Sequence, residues 1–288
     1  MKYYFFGILF IFYTSASDAQ TIDTALLRVK YKFTHIYDTT KPEKPLEEIM
    51  QLYVGKNETE YNSYEFEVEY ARYHAAKWHF VAPDSSDHYG SNYPENYVRK
   101  SRMIQWGFPK ENKNYAGYNL VYQLYFVYEF EMPKINWIIG EETRMIQNIK
   151  CQKATARVKG RQYEAWFAPE LPFAAGPWKL TGLPGLLLEA KDLQQQVKFE
   201  FISVENVSTE KRLLLLPPQA IKTTRARFIA LMEAASENPF IMGKFNGVSD
   251  ETAENFLKDN EELLTKVKLT NSRKISPVMN NPIELIDK

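Results

Sequence analysis

Gln196-Val197-Lys198-Phe199-Glu200-Phe201 decides the fold class. Apolar and polar residues alternate strictly across it. A period of two places Val197, Phe199 and Phe201 on one face and Lys198 and Glu200 on the other, which is the pattern of a half-buried strand. The same pattern recurs near the start of the chain. There Leu27, Val29, Tyr31 and Phe33 alternate with Arg28, Lys30, Lys32 and Thr34.

Between these two stretches, short apolar segments follow one another with turn residues between them. Met50, Leu52 and Val54 suggest a second strand, after a loop at Thr39–Pro45 and before Gly55-Lys56-Asn57. Asn119 to Met132 is expected as one strand, ended by Pro133-Lys134. Trp137 to Ile139, Met145 to Ala154, Gln162 to Ala168, Leu186 to Ala190 and Val197 to Val204 follow as short strands. Such spacing is that of an antiparallel meander, which needs only short turns. Residues 64–80 read two ways. Tyr64, Phe66, Val68 and Tyr70 alternate as in a strand, whereas Ala71 to Trp78 suits a helix. Residues 83–98 read as a long loop. The C-terminal third is helical: 223–236 forms one helix ended near Asn238-Pro239, and Ser249 caps a second from Asp250 to about Lys266.

The fold expected is therefore α+β, a predominantly antiparallel β-sheet with C-terminal helices packed on it. One version is a curved half-barrel enclosing an apolar groove. Residues 20–270 form a single β-rich domain, and 271–288 form a loosely ordered tail.

The chain has 288 residues, with 19 Tyr and 18 Phe, an aromatic excess that favours strands. Lys plus Arg and Asp plus Glu are 36 each. Zero net charge argues against general nucleic-acid binding, which needs a basic excess. Lys2, the apolar run Tyr3 to Tyr13 and Ser17-Asp18-Ala19 have the form of a secretory signal peptide, residues 1–19, cleaved after Ala19. No later apolar stretch is long enough to span a bilayer, so the expectation is a periplasmic, not membrane-spanning protein. Asn57-Glu58-Thr59 and Asn206-Val207-Ser208 are glycosylation sequons, relevant only in a eukaryotic host.

The chain lacks a nucleophile elbow, a phosphate loop, a dinucleotide fingerprint and a zinc-protease helix motif, and no cofactor is implied. His74, His79, Asp84, Asp87 and His88 lie close together in sequence, but that spacing does not define a metal site. Cys151 is the one cysteine; within Ile149–Ala154 it reads as a core residue of a strand, with a thiol nucleophile as the rival reading. Lys211, Arg212, Lys222, Arg225 and Arg227 form a basic stretch, read as a solvated face that the acidic helix at 250–262 could offset.

Gly160 to Ala190 stands apart. It holds Gly160-Arg161, Ala165-Trp166-Phe167, Gly176-Pro177-Trp178-Lys179 and Gly182-Leu183-Pro184-Gly185-Leu186-Leu187. Gly and Pro shape such a segment, and Trp166 and Trp178 offer large flat surfaces for a ligand. The competing reading is a structured corner plugging the end of a sheet. No side chain in Gly182 to Leu187 can act as acid, base or nucleophile.

These motifs, with Cys151-x-Lys153-Ala154 upstream and Asn281-Pro282-Ile283-Glu284-Leu285 downstream, resemble the GLPGLI family of exported Bacteroidota proteins. Leu187 stands where the family name has Ile. The resemblance implies an envelope protein, often associated with TonB-dependent outer-membrane transport, and implies no reaction. The leading functional expectation is a non-enzymatic periplasmic binding or accessory protein. Its ligand would be a peptide, a lipid-like molecule or an outer-membrane receptor, met at Trp166, Trp178, Gly182, Leu183, Pro184 and Gly185. A hydrolase using Cys151 or carboxylates, and a structural component of an outer-membrane complex, remain the alternatives.

Overall fold

The computed structural model describes residues 22–75, 101, 103–121, 124–237, 281, 283 and 284. They form one open twelve-stranded sheet with few helices. The strands are β1 (Leu27–His35), β2 (Leu46–Val54), β3 (Thr59–Ser63), β4 (Met103–Phe108), β5 (Lys113–Val121), β6 (Leu124–Phe130), β7 (Ile138–Ile146), β8 (Ile149–Val158), β9 (Arg161–Ala168), β10 (Leu186–Asp192), β11 (Val197–Asn206) and β12 (Ile221–Thr223). Their order is β12-β6-β5-β4-β3-β2-β1-β11-β10-β9-β8-β7. Two meanders, β1 to β6 and β7 to β11, are thus joined along β1 and β11. All pairings are antiparallel except that of β12 with β6.

β1 shows why the alternation folds this way. Val29, Tyr31 and Phe33 are buried. Tyr31 lies opposite Met50 in β2 and Phe201 in β11, and Phe33 stacks on Phe199 with ring centroids 5.1 Å apart. The basic residues between them meet carboxylates on the other face: Arg28 and Lys30 reach Glu205, at 2.6 and 3.2 Å, and Lys32 reaches Glu47 at 2.8 Å. The main core continues through Ala154 and Ala156 of β8, Tyr163, Ala165 and Phe167 of β9, and Leu186 and Leu188 of β10.

The expected strands stand at 27–35, 46–54, 186–192 and 197–206; two expectations change and one open reading is resolved. Asn119 to Met132 is not one strand but a hairpin, since β5 and β6 pair with Val121 opposite Leu124. Met145 to Ala154 is likewise broken: Gln147 and Asn148 both take positive φ, 44° and 66°, and turn β7 back as β8. Residues 64–75, which the sequence left open between strand and helix, are helix α1 (Tyr64–Ala75). Ser63 caps it, its hydroxyl accepting from the Phe66 backbone N–H at 3.1 Å, and Glu65 and Glu67 sit in the first turn, where the helix dipole favours acids. In the C-terminal third, α2 (Arg225–Glu237) packs on β6, with the Tyr128 and Phe228 rings 4.9 Å apart. The segments expected as a second C-terminal helix, as the 83–98 loop and as a signal peptide lie outside the described residues, as does most of 271–288. No described helix is long and apolar enough to cross a membrane.

Candidate functional site

Gly160 to Ala190 supplies β9, the start of β10 and a long cover between them. The cover packs as a plug. Ala175, Leu180 and Leu183 are buried, and Leu171, Phe173 and Trp178 pack against the same core. Backbone bonds tie it to β10: the Leu186 N–H donates to Leu171 O and the Leu187 N–H to Ala175 O, both at 2.9 Å. The buried Tyr31 hydroxyl donates to Leu187 O at 2.8 Å, tying β1 to the start of β10, where the cover is fastened.

The six residues singled out from sequence are not brought together as one platform. Gly182 and Pro184 are exposed, whereas Leu183 is buried between them. Gly182 has φ of 92°, a left-handed conformation that glycine takes without cost. Gly185 is required by close approach, because a Cβ there would stand 2.3 Å from Ala168 O. Trp178 is part-buried at φ 55°, an outlier for so bulky a residue. It is the second residue of a tight turn in which the Leu180 N–H donates to Pro177 O at 3.1 Å. Beside it, Lys179 lies 4.9 Å from the Phe130 ring centroid.

Trp166 sits elsewhere, among charges of β7 to β10. It is only 5% exposed, because Arg144 covers its ring at 4.2 Å and Lys153 stands 5.7 Å from the centroid. Arg144 is held in turn by Glu189, and Lys153 by Glu142 and Glu164 at 2.8 and 3.0 Å. A cleft of about 190 Å³ opens beside this group, lined by Arg144, Trp166, Glu189, Lys198 and Glu200 among others.

Next to that cleft the sheet ends. Among the described residues no strand pairs with the outer side of β7. Every residue from Glu141 to Met145 is exposed. Ile138 is 72% and Met145 61% exposed, the largest exposures among the described large hydrophobic side chains. The register shifts between Ile139 and Thr143, so β7 carries an irregular, acidic centre at Glu141 and Glu142 between apolar ends.

Two buried polar groups were not visible in the sequence. One joins β2, β3 and α1 to the basic stretch: Arg212 donates to Glu67 Oε1 and Glu60 Oε1, both at 2.7 Å, with its guanidinium 4.0 Å over the Tyr53 ring. Gln51 donates to Asn62 and Glu67, and Asn62 donates to Glu60 at 2.8 Å. Burial pushes the Glu60 carboxyl up, against the pull of Arg212. Arg212 is therefore offset by Glu60 and Glu67. The helix expected at 250–262 lies outside the described residues. Both carboxylates are engaged by Arg212. The other group surrounds Arg161, whose ion-pair partner is Asp192 at 2.7 Å.

Cys151 is buried, and desolvation pushes its thiol up to about 11, away from the thiolate that attacks substrates. Among the described residues no cluster of His, Cys, Asp or Glu could hold a metal ion; the histidines and aspartates of 74–88 fall where no side chain is described.

Residues 157–189 match the model of a family described as a protein of unknown function, Porph_ging. That span runs from the end of β8 to β10 and contains the whole cover. No curated protein matches the chain. Among solved structures, one described as PNGF-II in a C2 space group is 13% identical with a TM-score of 0.51, covering 74% of this chain and 33% of that one. PNGF-II in a P21 space group is also 13% identical, with a TM-score of 0.44 over 64% of this chain and 28% of that one. The chain thus spans about a third of the length of the structures it resembles, and the likeness is one of fold.

Proposed function

We propose that the chain is a non-enzymatic binding or accessory protein of a bacterial envelope, and that it docks an extended segment of a partner protein along the open edge of β7. The exposed edge carries this reading. Free edge strands are templates for pairing, and proteins normally blunt them with charge, bulges or cover. Here only the centre is blunted. Ile138 and Met145 remain open at the two ends, where a solvated edge has no use for them. Strand addition supplies main-chain hydrogen bonds, and side chains at alternate positions supply choice. The acidic centre selects a partner strand with basic residues opposite Glu141, and rejects an acidic one.

The envelope setting rests on the sequence. The leader-like residues 1–19 and the likeness to the GLPGLI family support export, and that likeness supports a link to TonB-dependent outer-membrane transport. The match over residues 157–189 agrees with that likeness without supplying a function.

The test is a pull-down from solubilised envelopes with the native chain and with an Ile138→Lys/Met145→Lys variant. Both positions are exposed, so the variant's stability should stay within about 0.5 kcal/mol of native. Retrieval of the same partner at fixed stoichiometry by the native chain only is the expected result. Equal retrieval by both chains would remove β7 from the interface.

A further inference from the structure

Arg161 and Asp192 are 2% and 0% exposed, an expensive pair to bury unless each remaining donor and acceptor is met. Part of the requirement is met locally. Arg161 Nη1 donates to Asp192 Oδ2 at 2.7 Å and to Gln196 Oε1 at 3.2 Å, and Asp192 Oδ1 accepts from the Gln196 and Val197 N–H groups at 2.7 and 2.9 Å. The rest of the guanidinium is turned on the C-terminal segment. Nη2 donates to Asn281 Oδ1, and Nε donates to Ile283 O at 2.9 Å.

Asn281 is read at every polar atom. Its backbone N–H donates to Tyr37 O at 3.1 Å, its side-chain amide donates to Ile36 O at 2.6 Å, its side-chain oxygen takes Arg161, and its carbonyl meets His35 Nε2 at 2.7 Å. Ile283 then packs on the main core, and Glu284 meets Lys179. That lysine follows directly on the left-handed Trp178. One polar atom of the pocket is left over. The Tyr163 hydroxyl is fully buried and has no hydrogen-bond partner among the described residues, within the electrostatic reach of Arg161, Asp192 and Glu284.

We propose that this pocket is a peptide-recognition site, which reads an Asn-x-aliphatic-acidic sequence and is occupied in cis by Asn281, Ile283 and Glu284 of the same chain. The contacts are those of a ligand rather than of a packed element: none of them is a helix or sheet ladder, and the amide is identified by donors and acceptors that would be left unpaired by any residue lacking one. The same sequence offered in trans therefore competes for the pocket once its own segment is weakened. This site is separate from β7, and its test is independent of the docking reading.

The probe is a fluorescent synthetic peptide of residues 279–286, titrated by anisotropy into the native full-length chain and into full-length Asn281→Ala and Glu284→Ala variants. Glu284 meets Lys179 at the partly exposed end of the segment, so its variant keeps the test valid if Asn281→Ala does not fold. The expected result is binding to either folded variant at least tenfold tighter than to the native chain, with no binding of a peptide carrying Ala in place of Asn281. Equal binding to native and variant chains, binding that ignores the Asn281 change in the peptide, or no binding to a folded variant would each overturn the proposal.

Discussion

Leu183→Ala asks whether the glycine- and proline-rich cover is a plug or a ligand surface. Leu183 is buried in the main core, while its neighbours Gly182 and Pro184 are exposed. The change removes three carbon atoms from an apolar site. At about 0.8 kcal/mol per buried methylene the transfer loss is roughly 2.4 kcal/mol. The cavity left behind brings the total to about 3–4 kcal/mol, within the usual span for a buried leucine. The cover is tied down on both sides of Leu183, by the Leu180 turn and by the Leu186 and Leu187 N–H bonds, so little collapse can relieve the cavity. Urea unfolding followed by tryptophan fluorescence reads the effect. With a slope of roughly 3 kcal/mol per M, the midpoint should fall by about 1 M with the slope unchanged. Pro184→Ala, on the exposed side, should stay within about 0.5 kcal/mol of native. A Leu183→Ala chain as stable as the native one would refute the plug.

Three further outcomes follow from buried polar and titratable groups. Burial lowers His35 from its ordinary 6.5, helped by Arg161, while the Asn281 carbonyl and Asp192 pull it up. The folded chain thus prefers neutral His35, and this part of its stability is present above pH 6.5 and lost as pH falls below it. The slope is at most about 1.4 kcal/mol per pH unit, and thermal unfolding of His35→Gln over pH 5–7.5 should be flatter than that of the native chain. Cys151, buried with its thiol raised to about 11, should resist a disulfide reagent at pH 8 until urea unfolds the chain. Arg212→Ala leaves Glu60 buried without its cation and should cost about 3 kcal/mol. In that variant the raised Glu60 carboxyl holds a proton that the unfolded chain releases above its ordinary 4.5. The loss in chemical denaturation should therefore be larger at pH 8 than at pH 5.

The strands of the central sheet were legible because period-two alternation is a direct imprint of a half-buried face, as in Val29-Lys30-Tyr31-Lys32-Phe33. The hairpin turns were not. Gln147 and Asn148 take left-handed backbone without a glycine to announce it, and an apolar run through Tyr122 looks the same straight or folded back. At α1 a short alternation competed with a capped helix start, and Ser63 with the two glutamates behind it was the signal that decided. The Gly160–Ala190 segment stood out in composition, yet that composition could not separate a plug from a platform. That required knowing that Leu183 points inward and that Gly185 meets the Ala168 backbone. The Arg161 pocket and the Arg212 cluster were beyond sequence reach, since Arg161 stands 120 residues from Asn281 and Arg212 145 residues from Glu67.

The most direct test of partner docking is photo-crosslinking in intact envelopes, with a photoreactive residue placed at Met145 and, as an exposed control outside β7, at Leu213. The account predicts one partner captured at Met145 and not at Leu213, through an extended segment bearing basic residues, and lost when Ile138 is changed to Lys. No capture at Met145, or the same products from both positions, would contradict it.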